Sequence, residues 1–216
     1  VQVSYANFTP NGDAIGFGLA AIKNVGHTAI ESIITARAAL RAAGKQGFSS
    51  LWEFCEKVDL RLMNKRVIES LIKAGAMDSF GGRAQVTAAL DKAMERAQKS
   101  QRDEASGQHG LFGIFDSDIS PASDSHEDDL PKVAEWDEHT RLQNEKDVLG
   151  FFVSGHPMDK YREKLRNMKV VDTATACEMK PEPQTFRRGR GEESQNEISI
   201  AGVITGLKVA KSKRSG

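Results

Sequence analysis

The sequence has few cysteines and no long apolar run, and each of these two shortages excludes a class of protein. Aromatic residues make up only 6% of it, so any core must be built mainly from Leu, Ile, Val and Ala. Cys55 and Cys177 are far apart and belong to no C-x-x-C pair, so neither a zinc site nor a disulfide framework is expected. No apolar run approaches the roughly 18 residues of a membrane span, and the first residues do not resemble a signal peptide. We therefore expect a soluble, cytoplasmic protein without membrane attachment.

The net charge is zero, but the charges are segregated along the chain. Residues 15–100 carry 13 Lys or Arg against 8 Asp or Glu, a net charge of +5. Residues 101–150 carry 4 against 13, a net charge of −9, and residues 151–216 return to 13 against 8, or +5. The basic blocks permit nucleic-acid binding without demonstrating it.

Apolar periodicity predicts five helices in residues 15–100, after a strand-like tail (residues 1–14) with a turn at Asn11-Gly12. Ser50 and Glu53 form a capping box, and Asn64 is the expected N-cap of the following helix. The last helix is predicted from Arg83 to about Lys99. The helical pattern consists of Leu19, Ile22, Ile30, Ile33, Ile34, Ala38, Leu51, Trp52, Phe54 and Val58, and in the following helix Val67, Ile68, Leu71 and Ile72 are expected to face inward.

The rest of the chain predicts a linker, a helical connector and the beginning of a β domain. Residues 101–135 have the composition of a flexible acidic linker, and residues 136–172 are mostly helical with a break at Gly155-His156-Pro157. Within residues 173–216, a β-branched stretch at 198–210 predicts a strand. A single strand lacks the partner that its backbone groups require, and the chain does not begin with Met, so we expect a fragment of a larger protein.

Two glycine-containing junctions have the form of helix-hairpin-helix turns, which present backbone amides to a DNA phosphate. In the first hairpin (residues 22–27), Val25 is expected to be buried, Gly26 to occupy the turn at positive φ, and Asn24 to tolerate the left-handed region. The second hairpin (residues 73–78) has only one glycine at its centre. Such contacts carry no base information, so binding would be independent of sequence. The candidate DNA-binding residues are Lys23, Asn24, Val25, Gly26, His27, Lys73 and Gly75. A plain helical bundle whose glycines only end helices is the alternative.

A short apolar motif, Gln108-His109-Gly110-Leu111-Phe112, interrupts the acidic linker. Docking Leu111 and Phe112 into an apolar groove on a partner would contribute about 1.5–3 kcal/mol for each side chain, and Gln108 would add an amide hydrogen bond. The alternative is that these residues pack back on the bundle.

No catalytic or metal site is predicted in this chain. The pairs Asp116/Asp118 and Asp128/Asp129 have a spacing used for metal-dependent phosphoryl transfer, but they lie in the acidic linker with no strand to hold them. The five histidines form no ligand spacing, and Arg187-Arg188-Gly189-Arg190-Gly191 is more typical of a solvated basic loop than of a DNA contact.

Several stretches together resemble the alpha subunit of bacterial DNA polymerase III, in the order in which they occur in that family. Residues 17–26 (FGLAAIKNVG), 51–55 (LWEFC) and 64–78 are similar to its tandem helix-hairpin-helix region. Residues 145–157 (EKDVLGFFVSGHP) are similar to the segment before its oligonucleotide-binding (OB) barrel, and residues 200–204 (IAGVI) to the first strand of that barrel. The resemblance covers nearly the whole chain.

The resemblance implies a mainly α segment of the polymerase without its catalytic aspartates. Residues 1–14 would end the fingers, residues 15–100 would form a tandem helix-hairpin-helix domain on double-stranded DNA, and residues 173–216 would begin an incomplete OB-fold. It also implies that Gln108, Leu111 and Phe112 bind the sliding clamp (the beta subunit), and that the parent protein contacts other holoenzyme subunits. No cofactor is expected here, whereas the parent polymerase would use Mg²⁺. The error-prone paralogue of the alpha subunit, or a helical protein-interaction module without nucleic-acid binding, remain alternatives.

Overall fold

The computed structural model describes residues 1–105, 129–179, 198–204 and 207–209, and these divide into two structural units at Ser154. The first unit, residues 1–154, holds the helical domain, and the described part of the second unit, residues 155–216, holds a 3₁₀ turn at Asp159–Tyr161 and two short helices. None of the described helices combines the length and apolar character needed to cross a membrane. The chain is mainly α, as the sequence predicts.

A small antiparallel hairpin precedes the helices. Strands β1 (Thr9–Asn11) and β2 (Ala14–Gly16) pair with Asn11 opposite Ala14, so the two-residue loop is Gly12-Asp13, one position after the turn predicted at Asn11-Gly12. Gly12 is the first loop residue and has a φ of 61°, which a two-residue hairpin loop of this kind requires. The chain then passes through a single 3₁₀ turn, Leu19–Ala21.

The next two helices, α1 (His27–Ala42) and α2 (Leu51–Lys57), both contribute buried side chains to the core. The predicted cap of α2 is confirmed, because the Glu53 amide donates to the Ser50 hydroxyl at 3.2 Å. Burial opposes ionisation of the Glu53 carboxyl, but hydrogen bonds from Lys45 and Ser49 outweigh it and lower its pKa to about 2. The first-unit core contains the buried side chains of Leu19, Ile22, Ile30, Ile33, Leu51, Trp52, Phe54, Val58, Val67, Ile68, Leu71, Ile72 and Leu90.

The remaining helices of the first unit are α3 (Lys65–Lys73), α4 (Arg83–Ala105) and α5 (Glu138–Leu149). Helix α4 packs against α2 and α3, and α5 packs against α3. The predicted N-cap of α3 is confirmed, since the Asn64 side chain accepts from the Val67 amide at 3.0 Å. The apolar residues predicted to face inward on α3 are all buried.

Two predictions about the extent of these elements are wrong. The predicted first helix is only a 3₁₀ turn, because Ile22 is extended (ψ 124°) and the following Lys23 amide donates to the Val148 carbonyl on α5. Helix α4 continues to Ala105, six residues beyond its predicted end and into the predicted linker.

The connector predicted over residues 136–172 is divided between the two units, since α5 belongs to the first.

The second unit contains helices α6 (Arg162–Asn167) and α7 (Thr173–Glu178), after the predicted break at Gly155-His156-Pro157. His156 has a structural role in this turn, where its Nδ1 accepts from the Met158 amide and its own amide donates to Asp159. No strand forms in residues 198–204 or 207–209, where the sequence predicts one. The backbone contact there is the Val171 amide donating to the Ser199 carbonyl at 3.0 Å, and a strand needs a longer ladder than one such bond.

Candidate nucleic-acid interface

The first hairpin connects the 3₁₀ turn to α1 through a left-handed residue. Asn24 has a φ of 68°, the conformation that its short polar side chain tolerates better than most. Gly26 is the N-cap of α1 and has an extended backbone, with φ −76° and ψ 160°. The expectation of a positive φ at Gly26 is therefore wrong, because Asn24 already makes the turn. Val25 is buried, as predicted.

Both sides of the first hairpin are fixed to neighbouring helices. The Lys23 amide donates to the Val148 carbonyl on α5 at 2.9 Å. The Asn24 amide group donates to the Ser70 hydroxyl on α3 at 3.1 Å, and that hydroxyl donates in turn to the Arg66 carbonyl at 2.9 Å. Ser70 is 3% exposed, so this tether is inside the protein. The turn thus has one position relative to both α3 and α5.

The N-terminus of α1 faces solvent without a cap. No described side chain accepts from its first amides, and no acidic residue lies in its first turn. Gly26, His27 and Thr28 are exposed. The His27 ring is 3.3 Å from Glu31, one helical turn further on. A helix N-terminus of this kind presents free N–H groups and the positive end of the helix dipole, the combination that binds phosphate.

The second hairpin begins as an ordinary helix C-terminus. The Gly75 amide donates to the Ile72 carbonyl, and the Ala76 amide donates to the Leu71 carbonyl, each at 2.9 Å. This pair of bonds, with Gly75 at φ 75°, is a Schellman motif. The Gly75 amide is therefore used inside the protein, and both Lys73 and Gly75 are half-buried.

The N-terminus of α4, which follows the second hairpin, is occupied by the protein's own side chains. The Ala84 amide donates to the Glu135 carboxylate at 3.0 Å, and the Gly82 amide donates to the Gln85 side chain at 3.2 Å. An added Cβ at Gly82 would collide with the Glu135 carboxylate. The N-terminus of α4 is therefore already occupied by an anion, the Glu135 carboxylate.

Arg83 connects the start of α4 to α5 through a buried ion pair. Its guanidinium donates to Glu145 at 2.9 Å and to both carboxylate oxygens of Asp78. The Glu145 side chain is fully buried and also accepts from the Val153 and Ser154 amides. Burial opposes the charge on Glu145, but these amides and Arg83 outweigh it and lower the pKa of that carboxyl. Burial likewise opposes the charge on Arg83, yet Asp78 and Glu145 raise its pKa.

Much of the positive charge in residues 15–100 is used within the fold. Arg37 is 2% exposed, donates to the Val1 and Ser4 carbonyls and lies over the Tyr5 ring. Other cations lie in ion pairs, namely Lys45, Arg61, Lys65, Arg83 and Arg96. Each of these five ion pairs includes an acid that the net charge of +5 already subtracts, so the burial of Arg37 is what lowers the charge that this block can offer to a nucleic acid.

The predicted clamp-binding residues Gln108, Leu111 and Phe112 lie outside the described residues, as do Asp116 and Asp118. Within the described ranges, no cluster of three or more His, Cys, Asp or Glu side chains could hold a metal ion. Three residues that shape the interface were not anticipated: Ser70, Glu135 and Glu145. Each contacts a residue far away in the sequence, and no local pattern identifies such a contact.

Comparison with known proteins shows which family the chain is similar to. Residues 1–86 match the family model described as a helix-hairpin-helix motif. The chain is also similar to proteins named DNA polymerase III subunit alpha. It is 36% identical to that of Vibrio cholerae over 210 residues, 34% to that of Pseudomonas aeruginosa over 232, and 38% to that of Thermus aquaticus over 162. These alignments cover 96%, 99% and 74% of this chain but only 16%, 18% and 12% of the relatives.

The fold and the family model together define a protein with a helix-hairpin-helix motif. The curated relatives then identify the family within this class, because they align along nearly the whole chain. The chain is a member of the bacterial DNA polymerase III alpha subunit family and corresponds to about one sixth of the length of its relatives.

Proposed function

We propose that this segment binds double-stranded DNA through its sugar-phosphate backbone, without reading the base sequence, and attaches a replicative polymerase to its sliding clamp. The observation that carries the DNA proposal is the uncapped, exposed N-terminus of α1 in the first hairpin. The tether from Asn24 to Ser70 and the bond from Lys23 to Val148 hold its amides in place. A pre-positioned donor group loses little conformational freedom when it binds.

A substitution at the N-cap of α1 tests this contact without damaging the fold. Gly26 has the backbone conformation of an N-cap, and an added Cβ meets nothing within 4 Å. Gly26→Asp would therefore place a carboxylate over the α1 amides, which suits a helix N-terminus but excludes a phosphate. Thermal stability should stay the same or rise slightly, while duplex affinity falls by roughly ten- to a hundredfold, the value of a charge-assisted hydrogen bond.

Gly26→Asn is the matched control, because it caps the helix with a neutral side chain of the same shape. Binding is measured by fluorescence anisotropy with two unrelated duplexes of equal length, at several salt concentrations. The logarithmic salt dependence of Gly26→Asp should be lower by about 0.9, the slope of one lost phosphate contact. Equal affinities for the wild-type, Gly26→Asp and Gly26→Asn proteins would contradict the proposal, as would a strong preference for one duplex.

The clamp part of the proposal is supported by the sequence, in which Gln108, Leu111 and Phe112 form a short apolar motif in an acidic stretch. Replacing Leu111 and Phe112 with Ala should abolish retention on an immobilised clamp, because the two largest apolar contacts disappear together. Ile114→Ala combined with Phe115→Ala is the control, since it removes two apolar residues just outside the motif. Retention of the Leu111/Phe112 variant at the wild-type level would refute this part of the proposal.

No residue of this chain is assigned to catalysis. We propose that the Mg²⁺-dependent nucleotidyl transfer expected of the parent polymerase is performed by residues outside this segment, and that further holoenzyme subunits contact the parent protein. The purified segment should then add no nucleotide to a primed template in the presence of Mg²⁺. Primer extension by the segment alone would contradict this assignment.

A further inference from the structure

We propose that the second hairpin is kept closed to DNA by the covering segment, residues 130–136, whose Glu135 carboxylate stands where a backbone phosphate would bind. This inference rests on the proposed DNA-binding function and adds a regulation to it. A second phosphate contact then forms only when the covering segment leaves the N-terminus of α4.

The position of the Glu135 carboxylate is that of a bound anion. One oxygen accepts from the Ala84 amide at 3.0 Å and from the Trp136 amide at 2.9 Å. The other oxygen lies so close to Gly82 that an added Cβ would collide with it. The chain therefore forms a recess of the size of a carboxylate at this helix end, and the recess depends on the absence of a side chain at Gly82.

The source of this cap distinguishes α4 from the other helices with a described side-chain cap. Helices α2, α3, α5 and α7 are each capped by the residue directly before them, namely Ser50, Asn64, Asp137 and Asp172. Helix α4 has a local acceptor as well, since Gln85 accepts from the Gly82 amide, but its Ala84 amide is capped by a residue 51 positions away. A local cap is present whenever its helix is formed, whereas a remote cap is lost when its segment moves.

Apolar contacts hold the covering segment against the same turn. Leu130 is partly buried against the core and lies where a Cβ at Gly81 would be. Trp136 is also partly buried against the core. The segment thus contacts both Gly81 and Gly82, and the Ala84 amide is taken by Glu135 while the segment stays there.

A phosphate can replace the carboxylate because both are anions that accept hydrogen bonds from backbone amides at a helix N-terminus. Arg83 does not compete for the incoming group, since Asp78 and Glu145 hold its guanidinium. Phosphate and the Glu135 carboxylate therefore compete for the same amides. A substitution that weakens the hydrogen bonds of residue 135 to these amides should favour DNA binding.

The test compares duplex binding by the full chain and its variants, using fluorescence anisotropy across a range of salt concentrations. Glu135→Ala should tighten binding by roughly three- to tenfold and increase the logarithmic salt dependence by about 0.9, the slope of one additional phosphate contact. Glu135→Gln should give a smaller gain, because its neutral oxygen still accepts from Ala84 but competes less well with phosphate. Circular dichroism on heating checks that each variant is folded, and Glu135→Gln alone decides the test if Glu135→Ala unfolds.

Two further variants separate a new phosphate contact from the general loss of a negative charge. Glu138→Gln removes the same charge from the exposed first turn of α5 and should leave affinity within about twofold of wild type. Adding Gly82→Ala to Glu135→Ala fills the recess, so the gain in affinity should disappear. Equal gains from Glu135→Gln and Glu138→Gln, or a gain that survives Gly82→Ala, would overturn the inference.

The outcome for the first hairpin is independent of this test. If Gly26→Asp weakens binding and Glu135→Gln changes nothing, the regulation of the second hairpin is wrong and the proposed function stands. If Gly26→Asp has no effect while Glu135→Gln tightens binding, the first hairpin is not the DNA contact and the second one is.

Discussion

The two hairpins of this domain contrast in what lies over the helix that follows each of them. The first leads into α1, whose N-terminus is exposed and has no side-chain cap among the described residues. The second leads into α4, whose N-terminus carries Glu135 and Gln85. The connecting turns are both fixed by hydrogen bonds, so the two helix ends differ in the acceptors placed on them, which at α4 are the local Gln85 and the remote Glu135. A helix-hairpin-helix pattern in the sequence therefore does not by itself identify a DNA contact.

The largest effect is expected from breaking the ion pair that supports the second hairpin. Glu145→Ala leaves Arg83 in a mostly buried position and removes the acceptor for the Val153 and Ser154 amides. Removing one partner of a buried pair costs about 3–5 kcal/mol. Arg83 keeps Asp78, so the lower end of that range is expected in urea unfolding. Asp147→Asn, an exposed change on the same helix, should be nearly neutral, and equal losses from both variants would contradict the role given to Glu145.

A second change damages the support of the first hairpin. A Cβ at Gly18 would lie within 2.8 Å of backbone atoms in residues 6–8, which cannot rotate away as a side chain can. Gly18→Ala should therefore cost about 1–3 kcal/mol in the free energy of unfolding, the usual range for overpacking. Gly26→Ala is the control, since nothing lies within 4 Å of its Cβ position. Comparable stability of the two alanine variants would show that the 6–8 segment moves freely.

A smaller effect should follow from removing the tether of the first hairpin. Ser70→Ala removes the acceptor for Asn24 and should weaken duplex binding by about threefold to tenfold, the value of one ordinary hydrogen bond. In an Asn24→Gly background the same change should matter less, because glycine adopts the left-handed turn without a tether. Thr87→Ala is the control, since Thr87 also donates to the carbonyl one turn before it. Additive losses in the double variant would show that the tether does not position the turn.

The smallest predicted effect is a pH dependence of the free energy of unfolding, caused by the Glu145 carboxyl that supports the second hairpin. The pKa of Glu145 is lower in the folded protein than its ordinary value of about 4.3. The stabilisation from its ionised form is therefore complete above that ordinary value and is lost as the pH falls below it. The difference in unfolding free energy between wild type and Glu145→Gln should shrink between pH 5 and pH 3 in urea titrations. A difference that stays constant over this range would mean that Glu145 is not bound more tightly as the anion.

Local chemistry predicted much of the helical frame. Ser50 and Asn64 cap their helices as expected, because a cap and the amide it accepts from are only three residues apart. The left-handed conformation of Asn24 also follows from its own side chain. The end of α4 was misplaced because the composition becomes acidic before the helix stops. Composition indicates solvation more directly than it indicates a helix boundary.

The interface depends on contacts between residues that are far apart in the sequence, and no local sequence pattern contains such contacts. Asn24 and Ser70 are 46 residues apart, Ala84 and Glu135 are 51 apart, and Arg83 and Glu145 are 62 apart. Arg37 carries a charge that a count along the chain assigns to a basic surface, yet it is buried under the first residues of the chain. Which amides and cations face solvent is decided by such pairings, so the chemistry of each hairpin had to be observed.

The length of α4 has a mechanical consequence for the proposed clamp attachment. At about 1.5 Å per residue its 23 residues extend for about 34 Å. Leu130 lies at the start of this helix, beside Gly81, and Ala105 ends it, so the described residues on either side of the span holding Gln108, Leu111 and Phe112 lie at opposite ends of α4. A ring bound to that span would be held by two anchorage points rather than one, and tension on the second would pull on the residues that carry Glu135.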